Sequence, residues 1–276
     1  MSAPLILNTI SIASDCLGER WVPNNLDELA RFVAMVAMGQ SSYAGYIVEQ
    51  LLPAAPLFSD VNLRAEAKIL LTVQKAPQMP RVGYPVSQRD GFIFETISWL
   101  AARHAYGKLA LLKDPHVRAT QQGLDGLMIE LSAGNDTINR TTIFEDKCTE
   151  DPRSMFTSSV MPGFHDRHEN KRSAELISCA ATLIKSAGVR EPHVTTMASA
   201  VTDLAKRRYR AAFAVVDDTD VARQSLFKGF GDLPGLAQDQ RLGACFVVSP
   251  GLREWFEQLA KIAVAYLDQL GGCSNV

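Results

Sequence analysis

The chain has 276 residues, 47% hydrophobic and 21% charged, with a formal net charge of −2 at pH 7. Such a composition supports a sizeable core in one or two domains, and with a pI near 6.2 it excludes a globally basic nucleic-acid binder, so any such surface has to be local. The five cysteines, Cys16, Cys148, Cys179, Cys245 and Cys273, are scattered, odd in number and form no CxxC pair. This argues against a disulfide framework or zinc site and for a reducing compartment. The apolar run at the start lacks a basic n-region, and no apolar stretch reaches 18 residues, so a soluble, cytoplasmic protein with no membrane association is expected.

In chain order, helical patterns come first. "NNLDELARFVAMVAM" (24–38) opens on Asn capping options, "SSYAGYIVEQLL" (41–52) ends at Pro53, and "SDVNLRAEAKILLTVQ" (59–74) starts with a Ser-Asp cap signal. A loop, 75–88, carries three prolines and separates a helical region, 1–86, from the remainder, 87–276. A fourth helix, 89–107, is closed by Gly107, and its Phe92, Phe94, Ile97 and Trp99 face the core. The period then changes to two. "GLDGLMIEL" (123–131) and "RTTIFEDKCTE" (140–150) flank turn chemistry at 132–139, which reads as a β-hairpin. After a Pro/Gly-marked stretch (151–167) come a helix at about 170–187 and another at 195–206. A nearly continuous apolar strand follows, 208–217, of the kind found inside a covered sheet. A short helix (219–229), a strand (242–249) and a final amphipathic helix (251–270) complete the chain. The fold class is α/β, a mixed sheet flanked by helices and preceded by an N-terminal helical region.

The strand "TTIFEDKCTE" carries charges where apolar or β-branched residues are usual. Alternation puts Glu145 and Lys147 on one face and Asp146 on the other. If the hairpin closes symmetrically about Asp136, Asp125 faces Lys147 with Glu145 as its diagonal neighbour, and a slip of one residue turns Asp125 away. Two carboxylates so placed repel each other unless a cation intervenes. Mg²⁺, which takes one or two carboxylates and keeps waters, suits them, and a metal held there favours phosphodiester hydrolysis. The plainer alternative is a surface hairpin with a cross-strand Asp125–Lys147 ion pair, worth roughly 0–1 kcal/mol.

Asp125-Gly, a hairpin-length gap and Glu145-Asp146-Lys147 together resemble the PD-(D/E)XK nuclease superfamily over about residues 89–250. The order helix, hairpin, helix, strand is also similar, although Leu124 stands where a Pro would precede the Asp. The resemblance implies a Mg- or Mn-dependent deoxyribonuclease with Asp125 and Glu145 as metal ligands and the main-chain carbonyl of Asp146 as a third. Lys147 orients or activates the water, and Glu95, in "GFIFE", supports the metal; the plain reading of Glu95 is a solvated helix position. The size, helical front and ExK placement are similar to the nuclease subunit of Hachiman-type bacterial anti-phage systems. This implies DNA as substrate and a protein partner such as a helicase or sensor ATPase. The alternative is a non-catalytic interaction subunit that retains the fold.

Residues 140–210 hold a local excess of Lys and Arg, chiefly in "HDRHENKR" (165–172) and "KRRYR" (206–210), against the negative chain average. Lys171 and Arg172 are the candidate phosphate contacts, which fix position without reading sequence; a solvated face is the other reading. His165 and His168 form an HxxH without a predicted third ligand. "DDTD" (217–220) reads equally as a ligand site after a strand or as a helix cap. The loop 228–235 lacks a nucleotide-binding glycine spacing. Met35, Met38 and Tyr43 are either a docking surface or core.

Overall fold

The computed structural model describes residues 3–13, 16–76, 79–117 and 123–272; Cys273 lies outside them. Seven strands form one mixed sheet in the order β1-β2-β7-β6-β5-β4-β3. They are β1 (Leu5–Ala13), β2 (Cys16–Pro23), β3 (Ala110–Leu112), β4 (Gly126–Leu131), β5 (Ile138–Lys147), β6 (Arg207–Val215) and β7 (Arg241–Val247). The four central strands β2, β7, β6 and β5 run parallel, with β1 antiparallel on one side and β4 and β3 antiparallel on the other. Parallel strands are stable only when both faces are covered. Accordingly every residue of β6 is buried.

One face is covered by α1 (Leu26–Ala37), α2 (Ser41–Gln50), α3 (Val61–Leu71) and α4 (Val86–Tyr106). The helices α5 (Pro152–Met155), α6 (Met161–His168), α7 (Ser173–Ser186), α8 (His193–Ser199) and α9 (Asp220–Leu226) lie on the other, and α10 (Leu252–Gly272) returns to the first. The first layer packs Phe32, Phe94, Ile97 and Leu259 against Met128, Phe144, Ala212 and Phe246. The second packs Phe156, Phe164, Leu176 and Phe227 against Leu127, Ile143, Ala211 and Phe213. Local chemistry sets the helix starts: Asn25 accepts the Glu28 N–H at 3.0 Å, and Asp60 accepts that of Asn62 at 2.8 Å.

Residues 1–86 are not helical throughout. "LILNTISIA" and "CLGERWVP" pair as an antiparallel hairpin, whose second strand joins β7. The β-branched Ile and Thr content favours strand, and the apolar run is too short for a long helix. The helices of this region share one core with α4 and α10. Met35 and Met38 are buried in it, Tyr43 is half-buried, and none offers a free docking surface. The stretch 151–167 is also helical, because Asp151 accepts the Ser154 N–H at 3.0 Å and Pro152 falls in the first turn, where its missing N–H costs nothing. Among the described residues no helix is long and apolar enough to cross a membrane.

The β4–β5 hairpin closes two residues away from symmetry about Asp136. Gly126 opposes Phe144 and Ile129 opposes Thr141, with a register shift after Glu130. The Ser132 N–H bonds to Thr137 O at 2.9 Å and Asn135 takes a left-handed φ of 54°, so the turn is centred on Gly134 and Asn135. An even slip conserves parity. Asp125, Glu145 and Lys147 therefore keep a common face.

Where β2 meets β7, Gly18 and Gly243 are register partners. A Cβ on Gly243 would lie 2.9 Å from both Ile12 Cδ1 and the Phe227 ring. Gly243→Ala is therefore expected to destabilise the protein by about 1–3 kcal/mol through overpacking, read as a lower urea midpoint at unchanged m-value.

Candidate functional site

Asp125 directly precedes β4. Its Oδ2 accepts the Asp146 N–H at 3.0 Å and the Lys147 ammonium at 2.6 Å. Lys147 Nζ also lies 2.8 Å from Glu145 Oε2, and the other oxygen of Glu145 accepts Arg167 Nη1 at 2.7 Å. Arg167 reaches in from α6 and is 2% exposed. The helix comes this close at Gly163, where a Cβ would lie 3.3 Å from Arg167 Nη1 and 3.7 Å from Glu145 Oε1. The cluster thus consists of two carboxylates and two cations at the C-terminal end of β5. In an extended strand a residue's N–H and C=O point to the same side, so the Asp146 carbonyl faces the Asp125 side as well.

The Asp146 side chain lies on the opposite face of the sheet. It is 3% exposed and sits 3.4 Å from the Arg210 guanidinium, which is itself stacked over the Phe144 ring at 3.5 Å. Glu95 belongs to this second neighbourhood. Its oxygens accept the His116 N–H at 2.8 Å and contact His116 Nδ1 at 3.0 Å, and its charge is felt by Asp146. No direct contact joins it to Asp125, Glu145 or Lys147 among the described residues. His116 carries no signal as a site residue in the sequence, and Arg167 stands out only as one charge of the basic run 165–172, not as a partner of Glu145. Arg167 stands four residues after Gly163, a same-face helical spacing, but that pattern carries no weight until 161–168 is known to be helical.

Burial pushes the Glu145 carboxyl up and the Asp125 charge adds to this, while Lys147 and Arg167 oppose it. Burial tends to lower Lys147, yet the Asp125 and Glu145 carboxylates outweigh it and hold the ammonium above its ordinary range. Asp146 is pushed up to about 7, first by burial, with Arg210 opposing and Asp125 reinforcing the shift. Cys148, the next residue after Lys147, is raised by burial, so it is a poor nucleophile.

The other sequence candidates lie apart. Lys171 is exposed and paired with Glu169 at 2.6 Å and Asp166 at 3.2 Å, and Arg172 is paired with Glu175 at 3.0 Å. In "KRRYR" the three arginines are buried; Arg207 donates to Asn170 Oδ1 at 2.8 Å and Val201 O at 2.7 Å, and Arg208 to Asp239 O at 2.8 Å. That run is structural and not a phosphate-facing surface. His168 is buried with Nδ1 3.3 Å from the Tyr209 hydroxyl, and among the described residues no group of three His, Cys, Asp or Glu is arranged to hold a metal. Thr219 and Asp217 cap the start of α9. A cavity of about 530 Å³ opens beyond Lys147 at the C-terminal ends of the parallel strands, lined by Thr149, Asp151, Val215, Asp217 and Leu252 among others. Compared with known proteins, the chain matches no family model and no curated protein.

Two outcomes follow for the metal-free protein. Asp146 binds its proton more tightly folded than unfolded, so its contribution to stability is full below about pH 4 and is lost as pH rises towards 7. Asp146→Asn is expected to flatten the melting temperature against pH across that window. Arg167→Ala leaves Glu145 buried with half its partners and is expected to cost about 3–5 kcal/mol in chemical denaturation.

Proposed function

We propose that the chain is a metal-dependent phosphodiester hydrolase of PD-(D/E)XK type that cuts DNA. The observation that carries the reading is the convergence of Asp125, Glu145 and Lys147 through contacts of 2.6 and 2.8 Å at the end of one strand. Two further features support it. The chain order α4, the β4–β5 hairpin, helices and the parallel strand β6 is the order the family resemblance implies. A cavity of about 530 Å³ also adjoins the segment that follows Lys147, lined there by Thr149, Glu150 and Asp151.

The donor set fits a hard divalent cation, Mg or Mn, which takes oxygen ligands and retains waters. Asp125 and Glu145 would hold it through carboxylate oxygens and Asp146 through its carbonyl. Lys147 Nζ bridges the two carboxylates, 2.6 Å from Asp125 Oδ2 and 2.8 Å from Glu145 Oε2. When bound, the ion supplies charge stabilisation for the phosphodiester and a more acidic water. Lys147 would orient the attacking water and donate to a phosphate oxygen. Arg167 holds Glu145 in position from behind. Glu95 acts at one remove, through the field at Asp146. Lys171 and Arg172 stay at the rim, where their carboxylate partners reduce their pull on phosphate.

An uncontrolled DNA-cutting enzyme harms its host, and no helicase or ATPase motif is visible in this chain. We therefore assign it the role of an effector subunit in a bacterial anti-phage system of Hachiman type, restrained or activated by a helicase or sensor ATPase in the cytoplasm. One observation favours a second reading, a non-catalytic interaction subunit: Lys147 and Arg167 already neutralise both carboxylates.

Plasmid and linear DNA incubated with the protein, alone and with its partner, in Mg or Mn and with chelator, separates the two. Cleavage should require metal and fall by about 100-fold or more in Glu145→Ala and Lys147→Ala. Calorimetric Mn binding should disappear in Asp125→Ala. Cleavage indifferent to both substitutions removes the site assignment, and no cleavage in any arm favours the interaction subunit.

A further inference from the structure

The two outer strands of the sheet are treated very differently. β3 has three residues, which is one of the ways proteins keep an edge from pairing with another chain. β1 has nine, "LILNTISIA", with no charge and no proline, and its register with β2 is regular from Leu5 to Ser11. Asn8, Thr9 and Ser11 are exposed, and Ile6 is 45% exposed.

The phase of its hydrogen bonding can be read from the start of the strand. The Asn24 N–H bonds to Pro4 O at 2.9 Å, and positions 4 and 24 continue the register Leu5↔Pro23, Ile6↔Val22. Hydrogen-bonded pairs alternate along an antiparallel ladder, so the even residues of β1 bond to β2. Leu5, Leu7, Thr9 and Ser11 direct their N–H and C=O groups outward, away from the sheet. Pro23, which has no N–H to give, lies opposite Leu5, in keeping with that phase.

From this edge we infer that β1 pairs antiparallel with β1 of a second copy of the chain, about a twofold axis perpendicular to the sheet at Thr9. A perpendicular dyad keeps each face of the sheet on the same side and makes a residue meet its own counterpart. Centring it on Thr9 gives the longest overlap. Thr9 then opposes Thr9 and Leu7 opposes Ser11, all of them outward-bonding residues, for about six main-chain hydrogen bonds. On the other face Ile6 comes opposite Ile12 and Asn8 opposite Ile10, so the exposed Ile6 gains an apolar neighbour that already sits in the core below. A Thr–Thr pair is among the favourable cross-strand contacts. The absence of charge on the strand means that nothing repels across the axis and that nothing selects a charged foreign strand instead.

The test is oligomeric mass by light scattering at micromolar concentration on the full chain. Wild type should be a dimer. Thr9→Lys and Thr9→Glu each set like charges face to face and should weaken dimerisation at least about tenfold, whereas an equimolar mixture of the two should restore the dimeric mass. A wild-type circular dichroism spectrum is the folding control. Thr9→Pro, which removes an outward N–H and leaves the bonds to β2 intact, is a second variant expected to be monomeric. A wild type that stays monomeric, including one that pairs only with a different protein, overturns the inference. So does a dimer whose mass is unchanged by Thr9→Lys or Thr9→Glu.

Discussion

Asp125 is where the ladder between β4 and β5 stops and the ion-pair cluster begins. A single carboxylate oxygen accepts a main-chain amide of β5 and the ammonium of the next residue, the Asp146 N–H and Lys147 Nζ. The first contact ties the carboxylate to the strand, and the second ties the lysine to the carboxylate. Lys147 is thereby held against Glu145, and Glu145 is left one free oxygen, which Arg167 takes. Each step presupposes the pleat: with period-two alternation, a slip of one residue would send Asp125 to the face of α4 and leave Lys147 with Glu145 as its one carboxylate of the pair. The arrangement depends on parity much more than on exact register, which is why a hairpin two residues out of symmetry still assembles it.

Behind the cluster stands a set of buried arginines that keep its geometry. Arg207 is fully buried, donates to the main-chain oxygen of Arg167 at 2.5 Å, and also reaches Asn170 and Val201. It therefore fastens the segment from which Arg167 extends to Glu145. Arg210 does a comparable job on the opposite face, with Asp146 and Ser98 as polar partners and the rings of Phe144 and Trp21 as walls. Charge-assisted bonds contribute about 1.5–3 kcal/mol each, but taking the ions out of water costs several kcal/mol apiece. The two nearly offset. What such a network provides is one permitted arrangement of α6 over the end of β5, not a large gain in stability.

Much of this was legible in the sequence, for reasons that differ from element to element. α1 and α4 declare themselves through a terminal cap and an apolar face, α10 through its apolar face, and β6 through a run of apolar residues that only a covered strand tolerates. Asp125, Glu145 and Lys147 could be brought to one face because the register error was an even one, which conserves parity. Pattern fails on β1, where Asn8, Thr9 and Ser11 interrupt a short apolar run and leave no clean alternation to mark a strand. It fails on "KRRYR" because charge suggests a surface, while three arginines lie inside with carbonyls and rings around them. Arg167 and His116 were hidden for another reason. A residue that reaches a site from a distant element leaves no local pattern, and Glu95 was read as a metal support when its nearest partner is an imidazole 21 residues away in sequence.

The position of β7 also bears on how the molecule comes into being. Of the seven described strands it is synthesised after the other six, yet it lies between β2 and β6. Until residues 241–247 emerge, both neighbours present long, unprotected edges, and the layer that α10 completes over α1 and α3 has no roof. Pairing across more than two hundred residues of chain is slow, and exposed edges of this kind attract other nascent chains. Vectorial synthesis thus places the closure of the sheet after its other strands, so yield in the cell should be governed by how well those waiting strands are shielded during translation.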